Sequence, residues 1–192
     1  LSLCNKNMEK IPTSTTTNKL LAEVCMAAKY EGESLKTYRA QYDLKYPSGS
    51  SFTMCTMLAR SFADIGDIVR GKDLFLGNDK EKDQRDKLES KLKDIFKQIH
   101  GGLSKEKISH YNGDKENFYQ LREDWWTANR ATIWKALTCD APPDAKYFIK
   151  NTCSDGKSSA EHKCRCNGDK PDKDMVNIDP PTYFDYVPQY LR

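Results

Sequence analysis

The sequence predicts a mainly α fold: a disulfide-containing helical bundle followed by an irregular, cysteine-rich C-terminal region. Three observations carry that expectation. Apolar side chains recur at helical spacing in four separate segments. The breaks between these segments are polar or rich in glycine and proline. From Asp140 onward the helical period disappears, and Pro142-Pro143, Cys164-Arg165-Cys166 and Pro180-Pro181 take its place.

In the first segment Leu20, Leu21, Val24, Cys25, Ala28, Leu35, Tyr38 and Tyr42 fall on one face. With Thr17 or Asn18 as N-cap, this predicts a long amphipathic helix from about 18 to 45, ended by Tyr46-Pro47-Ser48-Gly49-Ser50. The second stripe is Met54, Cys55, Met57, Leu58, Phe62, Ile65, Ile68 and Val69, closing near Gly71. The third spans Lys80 to His100, where Leu88, Leu92, Ile95, Phe96 and Ile99 form the apolar side. Glu81/Arg85, Asp83/Lys87 and Glu89/Lys93 are opposite charges one turn apart, and Gly101-Gly102 is the stop. The fourth begins after Asp114 as N-cap and runs through Phe118, Leu121, Trp125, Ala128, Thr132, Ile133, Ala136 and Leu137 to Cys139. Each stripe needs neighbours to cover it, so residues 18–139 are expected to form the bundle.

At 192 residues the chain fits one ordinary domain and excludes a large multidomain machine. Its formal net charge is only +3, and ten Tyr, seven Phe and three Trp add aromatic area to a modest aliphatic core. No apolar stretch approaches the ~18 residues that cross a bilayer, and Leu1-Ser2-Leu3-Cys4-Asn5 lacks a signal-peptide pattern, so this stretch is expected to be soluble. Seven cysteines favour an oxidising compartment. Their odd number and the unfinished stretch Tyr186 to Arg192 point to a fragment of a longer extracellular chain.

The constellations that carry chemistry are few. Cys153, Cys164 and Cys166 beside His162 offer four zinc ligands, but the single residue between the last two cysteines strains chelation of one tetrahedral ion, so disulfides are the better reading. Up-and-down helices would bring Cys25 to Cys139, and that bridge is the expected one, with Cys4 pairing outside the bundle. Asp64, Asp67 and Arg70 read as an ion-paired helix surface rather than an acid/base couple. His100, His110 and His162 have no metal-binding or nucleophile pattern around them, and Gly71-Lys72-Asp73 is not a phosphate loop. The chain is therefore expected to be no enzyme and to take no cofactor or metal. Trp125 belongs to the apolar stripe, whereas Trp126, about 100° away, is expected beneath a neighbouring loop or subdomain. If Lys80, Arg85, Lys87, Lys91 and Lys105 or Lys107 line one surface, they form a seat for a sulfated glycan. Nucleic acid is disfavoured by the compartment and by a pI near 8.4.

Four stretches carry a resemblance. They are Leu20 to Gly32 (LLAEVCMAAKYEG), Ala59 to Phe75 (ARSFADIGDIVRGKDLF), Trp125 to Arg130 (WWTANR) and Tyr183 to Arg192 (YFDYVPQYLR). Together they resemble the alpha-class Duffy-binding-like domain near the N-terminus of the Plasmodium falciparum erythrocyte membrane protein 1 family. The resemblance covers nearly the whole chain. It implies three subdomains: residues 1–17 would end the first, 18–139 form the helical second, 140–182 a cysteine-containing irregular connector, and 183–192 the start of the third subdomain's first helix. It also implies an adhesin on the outer face of the infected erythrocyte, anchored by a membrane span outside this stretch and involved in rosetting, cytoadherence and antigenic variation. Its expected partners are host erythrocyte or endothelial receptors: sulfated glycans such as heparan sulfate, blood-group sugars or complement receptor one. The other reading is a scaffold that orients neighbouring subdomains, with the ligand sites elsewhere.

Overall fold

The computed structural model describes residues 3–45, 54–74, 77–114, 116–147, 149–153, 156–166 and 180–192. Among the described residues, five α-helices are joined by loops and short 3₁₀ turns: α1 (Thr17–Lys45), α2 (Met54–Arg70), α3 (Asp79–Gly101), α4 (Lys105–His110) and α5 (Tyr119–Leu137). Among the described residues there is no strand, only an isolated antiparallel bridge between Glu161 and Arg165. The predicted stop at 46–50 lies outside the described residues.

Helices α1, α2 and α5 pack on one another pairwise, and α3 closes over α5 and the 3₁₀ turn Met8–Lys10. The apolar stripes meet in one core: Leu20, Val24 and Ala28 from α1, Leu58, Phe62 and Ile65 from α2, Leu92, Ile95 and Phe96 from α3, and Ile133 and Leu137 from α5. Aromatic rings fill its centre. Phe62 lies 5.1 Å from Trp126 and edge-on to Trp134 at 5.2 Å, while Phe96 meets Trp125 edge-on at 6.1 Å. Where α1 crosses the end of α5, Gly32 is buried against the Leu137 carbonyl, and no side chain would fit between them.

Local chemistry explains the helix ends. Asn78 accepts a hydrogen bond from the Glu81 N–H while the Glu81 carboxylate accepts one from the Asn78 N–H, both 3.0 Å, which is a capping box starting α3. Gly71 ends α2 with φ +73°, in the left-handed region where a side chain is strained. Of the three expected i,i+4 pairs on α3, Lys87–Asp83 forms, at 2.6 Å. Arg85 instead pairs with Asp73 at 3.0 Å and Glu89 with Arg122 at 2.8 Å, because partners from other elements hold them in less exposed surroundings.

Several expectations are corrected. Helix α5 begins at Tyr119 rather than just after Asp114, since Phe118 turns into the left-handed region at φ 53°. Asp114 still caps the helix from a distance, accepting from the Gln120 and Leu121 N–H groups at 3.1 and 2.8 Å. Within residues 183–192 the chain forms two 3₁₀ turns, Phe184–Tyr186 and Gln189–Leu191, the first of which packs on α2.

The expected Cys25–Cys139 bridge is absent, and both thiols are free, as is that of Cys4. The disulfides are Cys55–Cys164 and Cys153–Cys166. Helix order alone misled here, because the irregular region folds back onto the bundle. Trp134 of α5 donates its indole N–H to the Cys164 carbonyl at 3.2 Å, and this docking brings Cys164 to the start of α2, where Cys55 waits. Locally the loop is held by Tyr147 N–H to the Ala160 carbonyl (3.0 Å) and Cys164 N–H to the Ala145 carbonyl (3.1 Å). With all three sulfurs of Cys153, Cys164 and Cys166 oxidised in these bonds, none is available as a thiolate ligand beside His162.

Candidate functional site

Of the three residues that read as a charged surface on α2, Asp64 stays about half exposed, while Asp67 and Arg70 lie in the interior. Asp67 and Arg70 are 4% and 2% exposed, because the C-terminal segment folds over them. Arg70 donates to the Asp67 carboxylate at 3.1 Å and to the backbone carbonyl of Asp185, and Arg192 reaches back to Asp67 and, at 3.3 Å, to Asp64. Burial raises the Asp67 carboxyl to about 6 against the opposing pull of Arg192 and Arg70, and burial also raises Asp64.

Asp185 is the hub of this cluster. Its Oδ2 accepts from the Trp126 indole N–H at 2.9 Å and from Arg130 Nε at 2.8 Å, and its Oδ1 accepts from Arg130 Nη2 at 2.9 Å. Arg130 therefore grips the carboxylate with two parallel bonds, donates also to the Thr182 carbonyl at 2.8 Å, and places its guanidinium 5.0 Å from the Tyr186 ring. The expectation for Trp126 holds: it is fully buried beneath this loop. A second buried arginine, Arg122, donates to the Val69 carbonyl at 2.6 Å and the Ile68 carbonyl at 3.1 Å, satisfying the last turn of α2, and pairs with Glu89. The sequence names Arg130 and Asp185 only as members of the resembling stretches, and it singles out neither these two nor Arg122 as buried ion-pair residues. A signal was there: Arg122 and Arg130 sit four residues either side of Trp126, which aligns all three on one face of α5.

These groups clamp the C-terminal segment to the bundle and are enclosed by it, so they offer no open acid/base pair to a substrate. The candidate recognition residues lie on α3 and α4. Spacings of seven and four residues put Lys80, Lys87 and Lys91 on one flank of α3. Lys87 is exposed beside Asp83, which raises its ammonium above the usual range, and Lys91 donates to the Glu9 carbonyl of the Met8–Lys10 turn. Arg85 projects from a different side of the helix and is held by Asp73. Lys105 and Lys107 are exposed on α4, where Lys107 lines a cavity against α5. Three of the six expected residues therefore share a flank of α3, Arg85 lies on another side of that helix, and Lys105 and Lys107 belong to α4.

A stapled helical scaffold with charged side chains on its outer helices is the class of molecule these features define. The Duffy binding domain model matches residues 1–192, and the chain belongs to that family. It is similar to the crystal structure of the NTS-DBL1(alpha-1) domain of Plasmodium falciparum membrane protein 1 (PfEMP1) from the varO strain. The two are 42% identical with a TM-score of 0.74, over 98% of this chain and 39% of that one. The NTS-DBL1-alpha and CIDR-gamma double domain of the same strain gives 41% identity and a TM-score of 0.75, over 98% and 25%. A DBLβ domain of PfEMP1 bound to human ICAM-1 is 32% identical with a TM-score of 0.54, over 72% and 28%. The chain thus spans about two fifths and one quarter of the first two structures. No curated protein sequence matches it.

Proposed function

We propose that this chain is part of a non-catalytic adhesion module that works on the outer face of the infected erythrocyte and recognises host-cell receptors. The match to the Duffy binding domain family over the whole chain is the observation that carries this reading. The ICAM-1 complex formed by a relative supports the receptor-binding class, though not a particular receptor for this chain. Within that class, a sulfated glycan is the partner that the Lys80, Lys87 and Lys91 flank suits best. Ammonium groups at helical spacing can pair with successive sulfates through many weak, salt-sensitive contacts. Binding of immobilised heparin, a blood-group oligosaccharide, complement receptor one and ICAM-1 by the purified chain tests the proposal. Heparin binding should weaken steeply with added salt and fall in a Lys80→Glu, Lys87→Glu, Lys91→Glu triple variant. Heparin binding indifferent to both would remove the α3 flank from the proposal, and failure to bind any receptor in the panel would count against the adhesion reading for this stretch.

The Asp185 clamp favours a second reading, in which the bundle orients neighbouring subdomains and ligand sites lie outside it. Exchanging residues 18–139 between a rosetting and a non-rosetting relative separates the two. Adhesion that follows the exchanged segment supports recognition within it, and adhesion that stays behind supports the scaffold.

A further inference from the structure

Residues 103–112, which include α4, are tied to the rest of the fold at few points. No residue of α4 is buried, and in the whole stretch only Leu103, Ile108 and Tyr111 are even half-buried. Its backbone bonds are largely internal: the Ile108 N–H donates to the Ser104 carbonyl and the Tyr111 N–H to the Ile108 carbonyl, both at 2.9 Å, and the Asn112 N–H to the Ser109 carbonyl at 3.4 Å. Among the described residues, its side chains make polar contact with another element at one group, the Asp124 carboxylate of α5. The Tyr111 hydroxyl donates to Asp124 Oδ2 at 2.9 Å, His110 Nε2 lies 3.6 Å from the same oxygen, and Gln120 of α5 holds Oδ1 at 3.0 Å. Between α4 and α5 there is an open cavity of about 460 Å³, walled on the far side by Ile99, Leu121, Trp125 and Ala128, so the stretch spans a gap instead of resting on a packed wall. We propose that residues 103–112 are a flap, hinged at Gly101-Gly102 and Gly113 and latched by Asp124, that carries Lys105 and Lys107 between two positions.

Each end of the stretch passes from anchored to loosely held chain within a residue or two. On one side the Gly102 N–H is bonded to the Gln98 and Ile99 carbonyls of α3 at 3.1 and 3.2 Å. On the other, the Asp114 carboxylate holds the first N–H groups of α5, those of Gln120 and Leu121. The glycines stand beside these anchors, and the latched arrangement itself has no need of them. A Cβ at Gly101 or Gly113 would meet nothing within 4 Å, one at Gly102 would make only ordinary contact at 3.6 Å, and none of the three has a positive φ. What glycine adds there is access to other backbone angles, which is what a hinge requires. The latch is light: besides the bonds to Asp124, the Tyr111 ring meets the His100 ring of α3 edge-on at 6.4 Å. A segment with few buried apolar contacts and one external side-chain latch belongs to the low-stability end of a fold, where opening is cheapest. Lys105 and Lys107 ride on this segment, whereas Lys80, Lys87 and Lys91 belong to α3. The spacing between the two groups of ammonium ions is therefore adjustable.

The test measures a distance across the gap. Spin labels go on Glu106→Cys and Thr132→Cys, both exposed positions, in the full chain with Cys4, Cys25 and Cys139 replaced by Ser and both disulfides intact. Pulsed dipolar spectroscopy should show two distances. Asp124→Ala, which removes the latch, should shift weight to the longer one, and Gly102→Ala with Gly113→Ala, which stiffens the hinges, should shift it to the shorter one. A single distance that neither change alters, or one broad distribution such as a frayed turn produces, overturns the proposal. Hydrogen exchange on the unlabelled chain is the second measurement. The Ile108 and Tyr111 amides should exchange about fivefold faster in Asp124→Ala, from the loss of one hydrogen bond. They should exchange about threefold slower in each glycine variant, because alanine narrows the backbone angles open to the released chain. The amides of Leu92 in α3 and Ile133 in α5 should not change; acceleration that spreads to them would show general loosening and would also overturn the flap.

Discussion

Asp185 shows how much one side chain holds in this structure. Its carboxylate answers the Arg130 guanidinium and the Trp126 N–H where neither reaches water. Asp185→Ala should lower the free energy of unfolding by about 3–5 kcal/mol, since it strands a buried charge. Denaturant titration measures this, and limited proteolysis should release residues 180–192 early in the variant. Arg130→Lys should restore little, because an ammonium cannot form the two parallel bonds. Asp67 makes a prediction of the opposite kind. Its folded-state carboxyl titrates near 6, above the ordinary 3.8, so the folded chain holds that proton more tightly than the unfolded one. The resulting stability is fully present below about pH 4 and is lost as the pH rises through about 6. Unfolding measured at pH 5 and pH 7 should therefore show a gain on acidification that Asp67→Asn reduces; equal shifts in both proteins would refute this assignment.

The helices show what could be read from the sequence and what could not. α1, α2 and α3 follow their apolar stripes closely, because a helix face that must be buried leaves a period in the sequence. α4 has no buried residue and so no stripe to betray it, and the left-handed Phe118 that splits α4 from α5 depends on tertiary contacts. Among the candidate residues, the lysines of α3 and α4 could be named from the sequence. Their division into one flank and separate positions could not, since it depends on where Asp73 and Glu9 arrive from other parts of the chain. The buried arginines were harder still, because an arginine on a helix usually faces water, and only the partner across the fold reveals otherwise. The α1–α5 crossing yields its own test. Gly32→Val should force the helices apart and lower the melting temperature by several degrees, roughly what a loss of 1–3 kcal/mol produces in a domain of this size. A melting curve identical to that of the parent chain would mean the crossing tolerates a side chain.

Across the whole molecule, the two disulfides differ in reach. Cys55–Cys164 joins residues 109 apart and Cys153–Cys166 residues 13 apart. In the chain-entropy account they contribute about 4.7 and about 3 kcal/mol respectively. Replacing the first pair by Ser should therefore lower thermal stability more than replacing the second, a ranking that calorimetry of the two double variants can check. Placing these bonds was beyond the sequence, because seven cysteines leave many possible pairings and the fold-back of the irregular region leaves no periodic trace.

The longer bond also changes what happens when the chain is pulled from its ends. Tension entering at either terminus passes through sulfur instead of through most of α2, all of α3, α4 and α5, and most of the irregular loop. While that bond is oxidised, roughly 380 Å of contour length cannot be paid out, because each residue would otherwise extend by about 3.5 Å. Stretching a single molecule with and without reductant should reveal this hidden slack as an extra step that appears only after the bond is cut.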